Sequence, residues 1–218
     1  MALLALWELS GLDLASMRMF GGAGGFALKE AWLPSAVLHQ GGRWLSIALL
    51  LLVLVNALWP LPAARGMPWS QRWACLIAIA LCLALVSALK QSSLTSCPWD
   101  LVEFGGKAHY VPHWRIGVAD GGPGKCFPAG HASGAFGFFA GYFALRTWNR
   151  RAARLWLAAV IGLGVLFGAA QLVRGAHYPS HALYTALICW TLSALLYQAA
   201  GNIRRRISKF RAPEHRST

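Results

Sequence analysis

Charged residues are scarce in this chain, and their scarcity excludes an ordinary soluble domain. Asp, Glu, Lys and Arg make up 12% of the 218 residues, whereas 57% are hydrophobic. A soluble domain carries about 25% charged residues. Acidic side chains are the rarest, with 7 against 20 Lys and Arg, which leaves a formal net charge of +13. The composition predicts an all-α protein, a polytopic transmembrane helical bundle without a second domain.

Several motifs that would indicate other functions are absent. No C-x-x-C pair occurs, so the five cysteines fit neither a zinc motif nor a disulfide-rich scaffold. No nucleic-acid motif accompanies the basic residues, which suit membrane topology and anionic lipid surfaces, so we expect the lipid bilayer and no nucleic acid as partner. Residues 1–4 carry no basic charge and no cleavage site follows, so we expect no cleaved signal peptide.

Apolar runs predict about six spans and three regions. Residues 1–43 form a short first span followed by an interfacial segment, residues 44–200 the transmembrane core, and residues 201–218 a basic cytoplasmic tail. The first span, interrupted by Glu8, Asp13 and Arg18, either crosses the membrane or lies in the interface. The predicted spans are residues 1–20, 44–59, 73–89, 132–145, 155–173 and 182–200.

The distribution of arginines predicts the orientation of the bundle. The turn with Arg65 and Arg72, the 146–154 turn and the C-terminal tail share one side, and they hold most of the loop arginines. By the positive-inside rule that side is cytoplasmic. Residues 91–130 and 174–181 then meet at the opposite, periplasm-like face.

The polar residues gathered at that outer face suit the chemistry of a phosphate group. A neutral His177 could attack phosphorus, and His181, four residues later, could hold its other ring nitrogen. His131 opens a helix and could protonate a departing oxygen. Lys90 and Arg174 could neutralise phosphoryl oxygens. Two alternatives stay open at this point: His177 and His181 form a zinc pair that lacks a clear third ligand, or Lys90 is a snorkelling helix end.

Three spacings carry a resemblance to a known family. Six residues separate Lys90 from Cys97-Pro98, Pro128-Ala129-Gly130-His131 opens a span, and His181 follows His177 by four residues. The pattern resembles the motifs K-x6-R-P, P-S-G-H and S-R-x5-H-x3-D of the type 2 phosphatidic acid phosphatase superfamily, which comprises integral membrane lipid phosphatases. The resemblance covers roughly residues 70–200, and six spans are that family's usual plan.

The same motifs also depart from the family. Cys97 and Gln171 stand in place of the two motif arginines, and His181 stands in place of the aspartate. A histidine can hold His177 but brings no negative charge to an imidazolium. Two outcomes stay open: a rearranged phosphate site to which Arg115, Lys107 or Lys125 contributes, or a loss of hydrolysis.

The resemblance implies removal of phosphate from a lipid phosphate or diphosphate, without metal or other cofactor. It implies His177 as nucleophile, His131 as general acid and His181 as the partner of His177. Undecaprenyl diphosphate, lipid A phosphate and phosphatidyl phosphate all fit an outer-face site in a bacterial inner membrane. Alternatives are a lipid phosphotransferase and a non-hydrolytic protein that binds or translocates lipid phosphates. The sequence indicates no oligomeric state. The expected substrate-binding residues are Lys90, Arg174, Gly130, Ser133 and Arg115.

A disulfide is a further hypothesis from the sequence. Cys97 and Cys126 both lie in the outer loop, each one or two residues from a motif proline. On an oxidising side of the membrane, a bond that closes a loop of about 30 residues would stabilise the fold by roughly 3–4 kcal/mol. The other cysteines, Cys75, Cys82 and Cys189, fall in apolar runs and are expected to be small core residues.

Overall fold

The structure is a computed structural model that describes the backbone of residues 2–211 and the side chains of residues 4–202. A π-helix, Leu33–Gly41, runs directly into α3, and a two-stranded antiparallel hairpin pairs β1 (Gly21–Gly22) with β2 (Gly25–Phe26). Short 3₁₀ turns occupy Pro62–Ala64, Pro98–Asp100 and Val102–Phe104. The α-helices in the described part are α1 (Ala2–Leu9), α2 (Leu12–Arg18), α3 (Gly42–Leu58), α4 (Trp69–Ser92), α5 (Gly130–Phe136), α6 (Phe139–Leu145), α7 (Arg150–Val173) and α8 (Pro179–Arg211).

Four helices in the described part are long and apolar enough to cross a membrane. They are Leu33–Leu58, Trp69–Ser92, Arg150–Val173 and Pro179–Asn202. The predicted all-α membrane bundle is thereby confirmed, whereas the expected number of about six spans is only roughly supported. The predicted span 132–145 is the central element: α5 and α6 together pack against α4, α7 and α8, and most of their residues are buried.

The N-terminal residues differ from the expected short span. The helices α1 and α2 have eight and seven residues, so each reaches only about 10–12 Å, well short of a hydrocarbon layer about 30 Å thick. Gly11, in the left-handed conformation with φ 68°, separates them. The Asp13 carboxylate accepts a hydrogen bond from the backbone N–H of Ser180 (3.1 Å), so this segment covers the start of α8.

The segment expected to lie in the interface also differs from its prediction. Residues 33–41 continue into α3 as one helix of 26 residues, and Pro34 is tolerated because it lies in the first turn. Gly42 permits this arrangement, since a Cβ there would lie 2.7 Å from the Phe167 ring of α7. The close contact with α7 depends on tertiary packing, which composition does not reveal.

The break between α5 and α6 has a clear cause in its neighbours. The Trp156 indole of α7 donates a hydrogen bond to the Phe138 carbonyl (2.8 Å), and it packs where a Cβ on Gly141 would stand 2.3 Å away. Gly134 likewise approaches Ser46 of α3. Small residues on α5 and α6 therefore let the surrounding helices come close, as their spacing in the sequence predicts.

The two ends of the bundle have different character. At the cap end, α4 and α7 finish, α5 and α8 begin, and residues 2–32 pack with the 93–129 loop. Residues 2–32 and the 93–129 loop together form the cap. The cap has an apolar core of its own, separate from that of the helix bundle: Met17, Phe26, Leu101, Phe104, Ala108 and Tyr178. At the opposite, basic end lie Arg65, Arg146 and Arg150. The predicted tail continues α8 as far as Arg211, and residues 212–218 lie outside the described residues.

Gly164 and Gly162 offer a matched test of this packing. A Cβ on Gly164 would lie 2.1 Å from the Phe136 ring, whereas nothing lies within 4 Å of one on Gly162. We expect Gly164→Ala to lower the free energy of unfolding by about 1–3 kcal/mol through overpacking. Gly162→Ala, which only improves helix propensity, should leave stability equal or slightly higher. Thermal unfolding in detergent measures both, and equal midpoints for the two variants would contradict the close α5–α7 contact.

Candidate active site

A cavity of about 630 Å³ lies at the cap end, between α3, α4, α5 and the α7–α8 turn. The cavity is polar and cationic near the helix ends and apolar further along α3 and α4. No carboxylate of the described residues lines it. An uncompensated cluster of cations and imidazoles is suited to an anion. The lining consists of His39, Arg43, Ser46, Ile47, Leu50, Leu83, Lys90, Cys97, Trp99, Gly130, His131, Ser133, Gly134, Phe138, Gln171, Arg174, Ala176 and His177.

His177 and His181 form a buried pair at the edge of the cavity. His177 lies in the turn before α8, where Gly175 adopts φ 72° and the backbone N–H of Ala176 donates to the Gln171 carbonyl (2.9 Å). The Nδ1 atoms of His177 and His181 are 3.4 Å apart. Since His177 lines the cavity while His181 is fully buried behind it, the pair presents one imidazole to a ligand.

The partners of the two rings restrict where their protons lie. The Cys126 carbonyl lies 3.1 Å from the Nδ1 of His181, and a carbonyl can only accept, so this nitrogen carries a proton. The Nδ1 of His177 then faces an N–H group and acts as acceptor. In that state the proton of a neutral His177 sits on Nε2, the nitrogen that a nucleophile must keep free.

Burial keeps His177 neutral. Desolvation is the main cause, and the positive charge of Lys90 adds to it, so the pKa of His177 lies well below its ordinary value. A neutral imidazole is the form that can attack an electrophile. The charge state of His177 therefore favours nucleophilic chemistry, although its resting tautomer does not.

A disulfide and a buried carboxylate stabilise the 93–129 loop next to the His177–His181 pair. Cys97 and Cys126, the two cysteines that the sequence pairs, are bonded with their Cα atoms 5.1 Å apart. The Sγ of Cys126 lies 3.4 Å from the Nδ1 of His177. Buried Asp120 accepts hydrogen bonds from the backbone and hydroxyl of Ser96, next to Cys97. The loop is thus tied directly to the imidazole pair.

His131 faces the cavity from the first turn of α5. Its ring packs between the rings of His39 (4.6 Å) and Phe167 (4.7 Å). Its Nε2 lies 3.3 Å from the Leu38 carbonyl, to which it can only donate, so Nδ1 is the nitrogen left for a ligand. The preceding Gly130 lies against the Lys90 side chain, which a Cβ would approach to 3.3 Å.

Arg174 is held by two hydrogen-bond partners, one from the N-terminal segment and one from α7. Its Nε donates to the Lys29 carbonyl (2.9 Å), and its Nη1 lies 3.5 Å from the Oε1 of Gln171. The Nε2 of Gln171 in turn donates to the Nδ1 of His39 (3.0 Å). Gln171, at the position of a motif arginine, therefore orients a cation and an imidazole that both line the cavity.

The structure brings together most of the residues that the sequence singles out. Lys90, Gly130, His131, Ser133, Arg174 and His177 line the cavity, and His181 supports His177 from behind. Arg115 is exposed and, like Lys107 and Lys125, does not line it.

Sequence reasoning missed His39 and Arg43, because their segment was expected to lie in the interface. Their spacing of four residues on a long helix was the available signal. A π-helix carries His39, and such helices are frequent at functional sites.

A family model described as the PAP2 superfamily matches residues 71–205, more than half of the chain. The chain belongs to this superfamily. PAP2 members are phosphatases that act on phosphate esters, often those of lipids, and this supports a phosphoryl hydrolase. The match includes Lys90, His131, His177 and the loop between them, whereas α3 precedes it. No match was found among curated proteins, and none among solved structures.

Arg43 provides a test of the cavity as a phosphate site. We expect Arg43→Gln to weaken the binding of inorganic phosphate or vanadate about 10- to 150-fold, since one charged hydrogen bond contributes roughly 1.5–3 kcal/mol. Arg115→Gln, at an exposed arginine outside the cavity, should leave the affinity unchanged. Isothermal titration calorimetry in detergent measures both constants. Equal affinity of the Arg43 variant and the unsubstituted protein would place the anion elsewhere.

Proposed function

We propose that this protein is a lipid phosphate or diphosphate phosphatase that acts through a phosphohistidine intermediate. The observation that carries the proposal is the two-part character of the cavity. Lys90, Arg174 and the imidazoles form its cationic end, and the apolar side chains of Ile47, Leu50, Leu83 and Phe138 continue it along the bundle. A phosphate head with an attached hydrocarbon chain matches both parts.

In the proposed first step, the Nε2 lone pair of His177 forms a bond to phosphorus as the bond from phosphorus to the lipid oxygen breaks. His131 acts as an imidazolium: Nε2 keeps its proton on the Leu38 carbonyl, and Nδ1 gives a second proton to the departing oxygen. Water then attacks the phosphohistidine and passes a proton to His131, the N–P bond breaks, and inorganic phosphate leaves. Lys90 and Arg174 neutralise the phosphoryl oxygens in both steps. No step requires a metal ion.

This mechanism demands a shift of protons in the histidine pair. For Nε2 of His177 to be free, its proton must lie on Nδ1 and be donated to His181. His181 must then carry its own proton on Nε2, an atom that is buried without a hydrogen-bond partner among the described residues. A carboxylate at position 181 would accept the proton of His177 without that rearrangement. The pair therefore favours slow turnover, and it also gives the non-hydrolytic alternative a physical basis.

We further propose that the cap end faces the periplasm of a bacterial inner membrane, with the C-terminus in the cytoplasm. Two features support this orientation. The arginines of the short turns cluster at the basic end, as the positive-inside rule requires of a cytoplasmic face. The Cys97–Cys126 disulfide lies at the cap end, and such bonds persist in oxidising compartments.

Phosphate release from lipid substrates tests the proposed function. Purified protein should release inorganic phosphate from undecaprenyl diphosphate, lipid A phosphate or phosphatidic acid without added metal. His177→Ala should lower the rate at least about 10³-fold, because it removes the nucleophile, while His109→Ala, at an exposed histidine, should not change it. Undiminished turnover by the His177 variant would refute the assignment of His177 as the nucleophile. Transfer of phosphate to a second lipid in place of release would identify a phosphotransferase. Binding without either reaction would identify a lipid-phosphate carrier.

Position 181 tests the argument from proton positions. We expect His181→Asp to raise kcat about tenfold or more, since a carboxylate fixes the tautomer of His177 and stabilises its positive form. His181→Asn, which has nearly the same shape without the charge, should not exceed the rate of the unsubstituted protein. Steady-state phosphate release gives both values. A folded aspartate variant with a lower kcat would contradict the claim that His181 slows turnover.

A further inference from the structure

A second cluster of ligand-forming side chains lies in the cap, outside the cavity. It consists of Glu8 from α1, Asp13 from α2 and His113 from the 93–129 loop, and one ligand atom from each lies within 4.8 Å of the others. None of the three lines the cavity. The cluster joins segments more than 100 residues apart in the chain.

Two atoms of this cluster are buried without a hydrogen-bond partner in the described part of the chain. They are the Oε1 of Glu8 and the Nε2 of His113, which are 3.4 Å apart. The Glu8 side chain is 9% exposed and that of His113 is 4% exposed. Buried polar atoms are nearly always paired, and these two have only each other as close polar neighbours among the described residues, in an ion-pair contact that requires a protonated His113.

The surroundings hold the remaining groups in place. The Oδ1 of Asp13 accepts hydrogen bonds from the Trp7 indole (2.9 Å) and the Ser180 backbone (3.1 Å), and its Oδ2 accepts one from the Ser180 hydroxyl. The His113 ring is stacked on Phe127, with centroids 4.1 Å apart. Ligand orientation by outer hydrogen bonds and by packing is typical of metal sites.

We propose that Glu8, Asp13 and His113 bind a zinc ion, with water as the fourth ligand. Zinc binds imidazole nitrogen and carboxylate oxygen at about 2.0–2.2 Å in a tetrahedron, whose edges are then roughly 3.3–3.5 Å long. The separation of 3.4 Å between Glu8 and His113 equals such an edge. Calcium fits poorly, since it requires six to eight oxygen ligands and His113 offers nitrogen.

The charges of the cluster agree with a divalent cation. Two carboxylates and a neutral imidazole carry the charge that one zinc ion neutralises. A neutral imidazole is the form of histidine that binds a metal ion.

The bound ion would cross-link the segments of the cap next to the His177–His181 pair. It would join α1, α2 and the loop, while Asp13 already contacts the start of α8 through Ser180. The His113 ring lies against the ring of His181, with centroids 5.4 Å apart. The zinc thus stabilises the wall behind the histidine pair and takes no part in phosphoryl transfer.

The test measures zinc bound to the full chain, purified without a histidine tag. After dialysis against EDTA and loading with excess zinc followed by gel filtration, elemental analysis should find one zinc ion per chain. His113→Gln and Glu8→Gln should each reduce this to below one-tenth, and zinc should raise the thermal midpoint of the unsubstituted protein but not of these variants. His109→Gln, at an exposed histidine of the same loop, should bind as the unsubstituted protein does.

A further variant separates this site from the catalytic histidines. His177→Gln should still bind one zinc ion, because it leaves the cluster intact. Loss of zinc in that variant, full binding by the folded Glu8 or His113 variants, or no zinc in the unsubstituted protein would each overturn the proposal. Should one cluster variant fail to fold, the other variant and the unsubstituted protein still decide.

Discussion

The contact between the Nδ1 atoms of His177 and His181, 3.4 Å apart in the buried interior, decides which chemistry the cavity can perform. Two neutral imidazoles that meet through these atoms can share only one proton between them. The Cys126 carbonyl biases that proton toward His181. A phosphatase that uses His177 as nucleophile must work against this bias, whereas a protein that only binds phosphate need not.

The position of this pair follows from how the helices pack. Gly42, Gly134 and Gly141 let α3, α5, α6 and α7 approach closely, and this brings His39, Arg43 and His131 to one cavity. The cap closes the same end through its own apolar core and the disulfide. The cations that line the cavity come from α3, α4 and the α7–α8 turn, and the proposed phosphate chemistry would depend on them because two arginines of the family motifs are replaced.

Much of the fold was predictable from sequence, because long apolar runs and tryptophan or arginine boundaries mark α4, α7 and α8. The grouping of Lys90, His131 and His177 followed from helix parity. The extension of α3 back to Leu33 could not be predicted from the sequence. His39 and Arg43 interrupt the apolar pattern, and contact with α7 stabilises this part of the helix. The N-terminal cap was missed for a similar reason: its short helices depend on Asp13 and the loop core rather than on local propensity.

The most direct test is to trap the covalent intermediate. Protein mixed with a lipid phosphate, denatured in alkali within milliseconds and digested should yield a peptide with phosphate on His177, since phosphohistidine survives alkali. The adduct is expected in the unsubstituted protein and should be absent from His177→Ala, which lacks the attacking nitrogen. Rapid phosphate release without any adduct on His177 would contradict the central claim.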